Sequence, residues 1–527
     1  MDAAIILSSA GELQTLATSL AKSLQGADPD RHQMDIYELA FLAAEAAAVQ
    51  AVGQAAAAKG APLALATIAA GSAARSARER AFAMQDRHDL AFSNETAQAT
   101  RRLIAEAGDD GVARTALEQI DSLDDLGLPE DLRFAAREFR RFGTQVVAPL
   151  AESIHRNDAD IPDELINGLA AMGAFGLSIP SEYGGTLDPH SPDHRPMVVA
   201  TEELSRASLG AGGSLITRPE ILTRALMAGG TDEQKSRWLP AIASGERLVA
   251  VAVTEPDAGS DVAAITFRAV RDDGGWVLSG TKMWCTFAGR ADLLMVLART
   301  DPDLALGHRG LSLFIVEKPR FLGNEFLSTQ EGGGSISARA IPTIGYRGMH
   351  SFEVKFDRWR VQQESLIGGP AGVGRGFHLQ MQAFGSGRLQ TAARAVGIMR
   401  SAFEAALDHS RHRRVFGHRL CDLGITRSRL AVMAGAIARG RLTTLNAAIG
   451  LTDAGGDQNA AMVKALTCRD AESVTRNAMQ IFGGYGYAEE YAVSRLFVDA
   501  RVLSIFEGTE EVLAIKVIAP KLLAAHN

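Results

Sequence analysis

The chain has 527 residues, a formal net charge of −8, 46% hydrophobic and 22% charged residues, the balance of a globular protein with two to four structural units. The acidic balance, with no basic block, argues against nucleic acid as the main partner. The three cysteines, Cys285, Cys421 and Cys468, lie far apart and form no CxxC pair, so neither a disulfide framework nor a metal site is expected and a reducing cytoplasm is.

Residues 1–125 are Ala-rich and nearly free of Pro. Tyr37-Glu-Leu-Ala-Phe41 and Ala74-Arg-Ser-Ala-Arg-Glu-Arg-Ala-Phe82 have helical spacing, and Gly60-Ala-Pro62 reads as a break between helices. A helical hairpin packed on the body or on a neighbouring subunit is expected, with no chemistry of its own. The first residues carry an apolar patch without a basic region, so no signal peptide is read, and no run of 18 or more apolar residues marks a membrane span. Asn94-Glu-Thr96 matches a glycosylation acceptor and is taken as a chance match.

A second helical part is expected over 126–246. Leu132–Phe142 is amphipathic, Ile161-Pro162 opens a helix, Ser181–Gly185 is a turn, and Thr231 caps a helix with an acidic first turn. Over 247–368 the period changes to that of strands. Leu248–Val253, Phe267–Arg271, Trp276–Ser279, Leu293–Ala298, Leu311–Val316 and Phe352–Phe356 predict a compact antiparallel β unit, with Asp272–Gly275 as a hairpin turn. Gly332-Gly-Gly-Ser-Ile-Ser337 reads as a mobile loop. From 369 to 527 long helices, Ala383–Arg414 and Ile425–Ile449 among them, predict a bundle. Gly368–Gly376 is Gly-rich but lacks the Gly-Lys-Ser/Thr ending of a phosphate loop.

Several stretches carry candidate chemistry, each with a plain alternative. Val253-Thr254-Glu255-Pro-Asp-Ala-Gly259-Ser260-Asp261 follows a strand and offers backbone N–H groups, small residues and hydroxyls, or is only an Asx-capped turn. Trp284 and Thr286 put an indole and a hydroxyl at a strand end, unless Trp284 is a core residue. Arg413 precedes Phe416 by one helical turn, suiting an anionic phosphate beside a flat ring, or is a surface Arg. Gln480-Ile-Phe-Gly483-Gly484-Tyr485-Gly-Tyr487 is a Gly-rich helix end. Glu507 follows the apolar run Val502–Phe506 and precedes Gly508. It is either an acid at a helix start or a desolvated general base whose proton affinity the apolar wall raises.

In this order, Val-Thr-Glu-x-x-x-Gly-Ser-Asp, Gly-Thr-Lys-x-Trp-x-Thr, Gly-Arg-Leu, Arg-x-x-Phe-Gly, Gln-x-x-Gly-Gly-x-Gly-Tyr and Glu-Gly-Thr resemble the acyl-CoA dehydrogenases, over about residues 126 to 520. The resemblance implies an α+β fold: a helical N-domain, an antiparallel β middle domain and a C-terminal four-helix bundle, here with an N-terminal helical extension. It implies FAD as cofactor, an acyl-CoA as substrate, an electron-transferring flavoprotein as acceptor, and a homodimer or homotetramer in the cytoplasm. Carried across by matching residues, Val253, Thr254, Gly259 and Ser260 contact FAD or the thioester side, Trp284 lies against the flavin, and Thr286 reaches its N5 edge. Arg413, Phe416, Gln480, Gly483 and Gly484 hold the adenine dinucleotide end of a partner subunit's FAD, and Thr509 and Glu511 close over the cofactor. Glu507 matches the catalytic base, and Gly508 and Ser260 the substrate contacts. The branch with its base on the earlier helix carries it at the position of Gly387, beside Arg388, where Gly cannot act. The base takes the thioester α-proton while the β-hydride leaves for the flavin.

The N-terminal part and the run Arg339–Phe352 resemble, more narrowly, family members acting on methylsuccinyl-CoA, which become producers of mesaconyl-CoA. Their short, branched acyl chain ends in a carboxylate and calls for a cation in the acyl pocket. Arg218 is the candidate, with a surface Arg before a helix-starting Pro as its plain reading. Arg388 is less informative. The readings left open are a monocarboxylic dehydrogenase of the butyryl- or isobutyryl-CoA type, and a non-catalytic nucleic-acid-associated relative. A related fold also carries flavin monooxygenases, which lack the base.

Overall fold

A computed structural model of the chain describes residues 2–88, 97–453 and 455–525. Asn94-Glu-Thr96 lies outside the described residues. Two compact units emerge, residues 1–140 with 391–527, and residues 141–390. In chain order the helices are α1 Ala3–Ser23, α2 Gln33–Ala57, α3 Leu63–His88, α4 Gln98–Ala107, α5 Asp110–Glu118 and α6 Glu130–Phe142. They continue as α7 Ala148–Asn157, α8 Asp163–Ala171, α9 Arg195–Ala207, α10 Thr217–Gly229, α11 Asp232–Ala243, α12 Gly376–His412, α13 Gly424–Ile449, α14 Gly456–Phe482 and α15 Ala492–Leu503, with a short turn α16 Glu510–Val512 that runs on into α17 Ala519–Ala524.

In the first unit the N-terminal part is more than a hairpin. It comprises α1–α5, and they pack onto the long C-terminal helices. Gly435 on α13 admits Ile68 of α3 so closely that an added Cβ would lie 2.8 Å from its methyl group. Arg427 and Arg439 of α13 reach Asp110 and the Ala69 carbonyl, and Arg400 of α12 pairs with Asp124. Glu12 on α1 caps α4 by accepting from the Ala99 and Thr100 amides at 3.0 and 2.8 Å. By length and composition α2 is apolar enough to cross a membrane, which the absence of an 18-residue apolar run did not suggest, but 67% of its most apolar window is buried in the protein, the pattern of a bundle's core helix.

The second unit joins helices α7–α11 and the start of α12 to one sheet. Its strands are β1 Val249–Ala252, β2 Arg268–Asp272, β3 Gly275–Thr286, β4 Leu293–Arg299, β5 Leu311–Glu317, β6 Glu325–Thr329, β7 Ser335–Ala340 and β8 Ser351–Gln362. The order is β1-β4-β2-β3-β8-β7-β6, with β5 on β4. Most pairings are antiparallel, as expected, but β1 and β2 both run parallel to β4. Strand β4 shows why it reads as a continuous apolar run. Leu293, Met295 and Leu297 meet Leu222, Leu226, Leu239 and Ile242 of α10 and α11, while Leu294, Val296 and Ala298 enter a second core with Phe267, Trp276, Phe352 and Phe356. The expected mobile loop is corrected. Gly332–Gly334 form a tight turn with positive φ, and Ser335–Ser337 already belong to β7, paired with β8. Thr231 caps α11 in a full capping box with Gln234, whose amide also ties to the Glu364 and Leu366 carbonyls.

Candidate active site

In the 141–390 unit the chain leaves β1 and enters the loop 253–261, which is bolted to β3. The Lys282 ammonium donates to the Val253 carbonyl at 2.8 Å and to Glu255 Oε1 at 2.9 Å. Glu255 also accepts from the Thr266 and Phe267 amides, and the Met283 amide donates to the Thr254 carbonyl. Burial pulls the Lys282 pKa down to about 8 against the opposing pull of Glu255. Burial also works to raise Glu255, but the Lys282 charge and the amide donors hold its carboxyl below the usual range. Removing one partner of such a pair strands a buried charge. Lys282→Met is therefore expected to destabilise its unit by about 3–5 kcal/mol, lowering Tm by on the order of 10 °C in a thermal melt.

This clamp sits directly before a break in the β3–β8 ladder, where the register shifts between Lys282 and Cys285. The irregularity turns Trp284 out of the sheet. Its φ is +59°, and the indole is 53% exposed, so it is not a core residue. A left-handed conformation in a large aromatic is costly and marks a position fixed by its surroundings. Two residues on, the buried Thr286 hydroxyl meets the Ser351 hydroxyl at 2.9 Å. Val253 is buried, while Gly259 and Ser260 are exposed in the loop.

The same unit holds Arg218 near the start of α10. It is 6% exposed, which overturns its reading as a surface residue. Its Nη1 donates to the Tyr346 hydroxyl at 2.8 Å and approaches the Ser214 carbonyl at 3.4 Å, and its guanidinium lies 5.8 Å from the Tyr346 ring centre. No carboxylate pairs with Arg218 among the described residues. Tyr346 is itself held at φ +60°, and the Arg347 carbonyl next to it presses so close on Gly210 that an added Cβ would stand 2.3 Å away. The run that carried the narrower resemblance thus supplies Tyr346 to Arg218 and Ser351 to Thr286. Between them, His350 lies between Asp158 and Asp160. Burial works to lower its pKa, but hydrogen bonds to Asp160 and to the Asp158 carbonyl raise it above the ordinary value. Arg388 is buried on α12.

In the other unit, α15 ends at Leu503, and Glu507 follows in a loop with φ +56°, with Gly508 at +98°. Thr509 caps α16 by accepting from the Val512 amide, and Glu510 and Glu511 occupy that helix's first turn. The helix-start reading therefore belongs to Glu510 and Glu511, not to Glu507. Glu507 is half-buried, and its Oε2 is shielded from water with no hydrogen-bond partner. An orphaned, buried carboxylate oxygen is costly in a fold and leaves a lone pair with no donor. The buried Lys464 of α14 donates to the Gly508 carbonyl at 2.6 Å.

The third group lies on the surface of the same unit. Arg413 follows α12, and its guanidinium stands 5.8 Å from the Tyr485 ring. Gly483 ends α14 at φ +63°, and an added Cβ on Gly483 or Gly484 would meet nothing within 4 Å. Phe416, 93% exposed and at φ +49°, tops the hairpin of β9 Arg414–Val415 and β10 His418–Arg419, and Gln480 is exposed. The structure brings Arg413 to the 483–485 turn.

Acyl-CoA dehydrogenase N-terminal, middle and C-terminal domain models match residues 129–246, 250–359 and 374–523. The chain belongs to the acyl-CoA dehydrogenase family. As a member it is an oxidoreductase that dehydrogenates an acyl-CoA with FAD as cofactor. It is 42% identical over 436 residues, 81% of this chain and 77% of the relative, to (2S)-methylsuccinyl-CoA dehydrogenase of Cereibacter sphaeroides. That match is longer than the stretch from residue 129 onward can supply, so it reaches into the N-terminal helices. Butyryl-CoA dehydrogenase of Megasphaera elsdenii is similar in structure, with TM-score 0.67, 30% identity, and coverage of 74% of this chain and 97% of that one. A chain solved in work on the electron transferring flavoprotein of Acidaminococcus fermentans gives TM-score 0.65 at 30% identity, covering 74% of this chain and 97% of that one. Taken unit by unit, the side chains suit FAD: an exposed indole on a strained backbone in the 141–390 unit, and in the other an exposed guanidinium beside a glycine turn with open space. Sequence reading missed Lys464 and the network around Glu510. Lys464 stands in the apolar stretch Ala460–Ala465, and a lone Lys in such a stretch was the available signal.

Proposed function

We propose that the protein oxidises (2S)-methylsuccinyl-CoA to mesaconyl-CoA, with Glu507 as the base that removes the α-proton. The observation that carries the substrate reading is Arg218, a buried guanidinium with a tyrosine hydroxyl but no carboxylate partner among the described residues. A buried unpaired charge is costly, and a substrate carboxylate supplies the missing anion in bidentate form. The 42% identity to the Cereibacter enzyme supports the same chain length and terminal group.

FAD, when bound, supplies the acceptor for the β-hydride. Each protein group then has a role. Val253, Thr254, Gly259, Ser260, Trp284 and Thr286 hold the flavin end and the thioester side. Thr509 and Glu511 border the cofactor, and Gly508 and Arg388 the substrate. Glu507 receives the proton on a carboxylate whose Oε2 accepts from no donor among the described residues. Arg413, Phe416, Gln480, Gly483 and Gly484 are exposed, which suits a role toward the FAD of a second copy, so a homodimer or homotetramer is part of the reading. Electrons leave to an electron-transferring flavoprotein. The three free cysteines suit the cytoplasm as the place of action.

Anaerobic bleaching of the flavin on adding methylsuccinyl-, glutaryl-, butyryl- and isobutyryl-CoA tests the reading. Methylsuccinyl-CoA is expected to give the highest kcat/KM. A rate no better than with butyryl-CoA removes the substrate assignment, and an unchanged yellow spectrum with all four removes the dehydrogenase itself.

A further inference from the structure

The N-terminal helices, which none of the three domain models covers, reach the start of α16, directly after the loop that carries Glu507. Tyr37 on α2 is the contact. Arg469 of α14 donates through one nitrogen to the Tyr37 hydroxyl at 2.5 Å and to Glu510 Oε2 at 2.6 Å, and the Tyr37 hydroxyl lies 3.3 Å from the same carboxylate oxygen. The Arg469 guanidinium also stacks over the Phe41 ring at 4.1 Å, one helical turn from Tyr37, and the two rings are 4.8 Å apart. Glu510 is three residues from Glu507. Within that short span Lys464, also on α14, holds the Gly508 carbonyl, next to Glu507. Glu507 immediately precedes these two anchors in a left-handed conformation, which costs an L-residue roughly 1–2 kcal/mol and persists only where neighbours fix it.

We propose that Tyr37 and Arg469 are positioning residues for Glu507, and that the N-terminal helices are part of the catalytic apparatus rather than a passive addition. The proposal rests on the assignment of Glu507 as base. The guanidinium, ordered by Phe41 and by the Tyr37 hydroxyl, fixes Glu510. Glu510 and the Lys464 contact then set where the 507–510 backbone lies. A base displaced by a fraction of an ångström loses alignment with the proton it takes, and such misplacement is expensive in rate.

The test uses the full-length FAD-loaded enzyme in stopped flow, with flavin reduction counted per bound flavin. Methylsuccinyl-CoA is the substrate, with butyryl-CoA as second probe. Tyr37→Phe keeps the ring and removes only the hydroxyl. It is expected to slow flavin reduction about 10-fold, to leave KM within about 2-fold and FAD content unchanged, and to raise the isotope effect with α-deuterated substrate. Arg469→Met is expected to slow it more and Arg469→Lys less, with Glu510→Gln resembling Tyr37→Phe. A lowered Tm with wild-type reduction rate and isotope effect in Tyr37→Phe and Glu510→Gln overturns the proposal, because it leaves the helices a bracing role alone. Failure of the wild-type enzyme to bleach with either acyl-CoA removes the assignment of Glu507 as well, so the two failures are told apart.

Discussion

Glu507→Gln is expected to fold, to bind FAD and stay yellow, and to lose turnover by about 10²- to 10⁴-fold, the range that a positioned general base supplies. Gln is nearly the same shape as Glu, so the left-handed loop and its Lys464 anchor should persist. kcat and kcat/KM should fall together, because the lost interaction belongs to the proton transfer and not to ground-state binding. Undiminished flavin reduction by the variant is the result that removes Glu507 from the mechanism.

Arg218→Met has the second large effect, and its sign depends on the substrate. For an acyl chain ending in a carboxylate, removing the guanidinium leaves that carboxylate buried and unpaired, a loss of about 2–4 kcal/mol. That corresponds to roughly 30- to 10³-fold in kcat/KM. For butyryl-CoA the same change removes an unpaired charge and replaces it with apolar volume, so kcat/KM is expected to hold or rise. The substrate-free protein should also gain stability, since among the described residues its buried cation has a hydroxyl and a carbonyl but no anion. An equal fall for both substrates, or a destabilised free enzyme, means that Arg218 serves the fold and not recognition.

What was legible in the sequence was what local chemistry fixes. The β4 residues show it: an uninterrupted apolar run requires burial on both faces, and it has both. The motif residues Lys282 and Glu255 were visible in the sequence as part of a pattern, but their reason was not. They form a buried ion pair 27 residues apart, and nothing in either local stretch says that the other lies opposite. Trp284 went the other way. An indole on a strand favours the core, and only the local break in the ladder exposes it. Glu507 was ambiguous because Gly-Thr-Glu-Glu is a true helix start, and the choice among the three acids Glu507, Glu510 and Glu511 depends on where the first turn begins. Strands β6 and β7 were lost because three glycines between them read as mobility, whereas positive φ at each simply makes a tight reversal. Tyr37 gave no signal, because its partners are more than 400 residues away in sequence.

The outward turn of Trp284 also makes the protein its own optical probe. Of the four tryptophans, Trp238, Trp276 and Trp359 are at most 6% exposed. Acrylamide should therefore quench one emitter selectively in the apoprotein, the red-shifted one, and that quenchable fraction should vanish as FAD is titrated in. Cofactor loading could thus be followed by emission from a single indole, without any label.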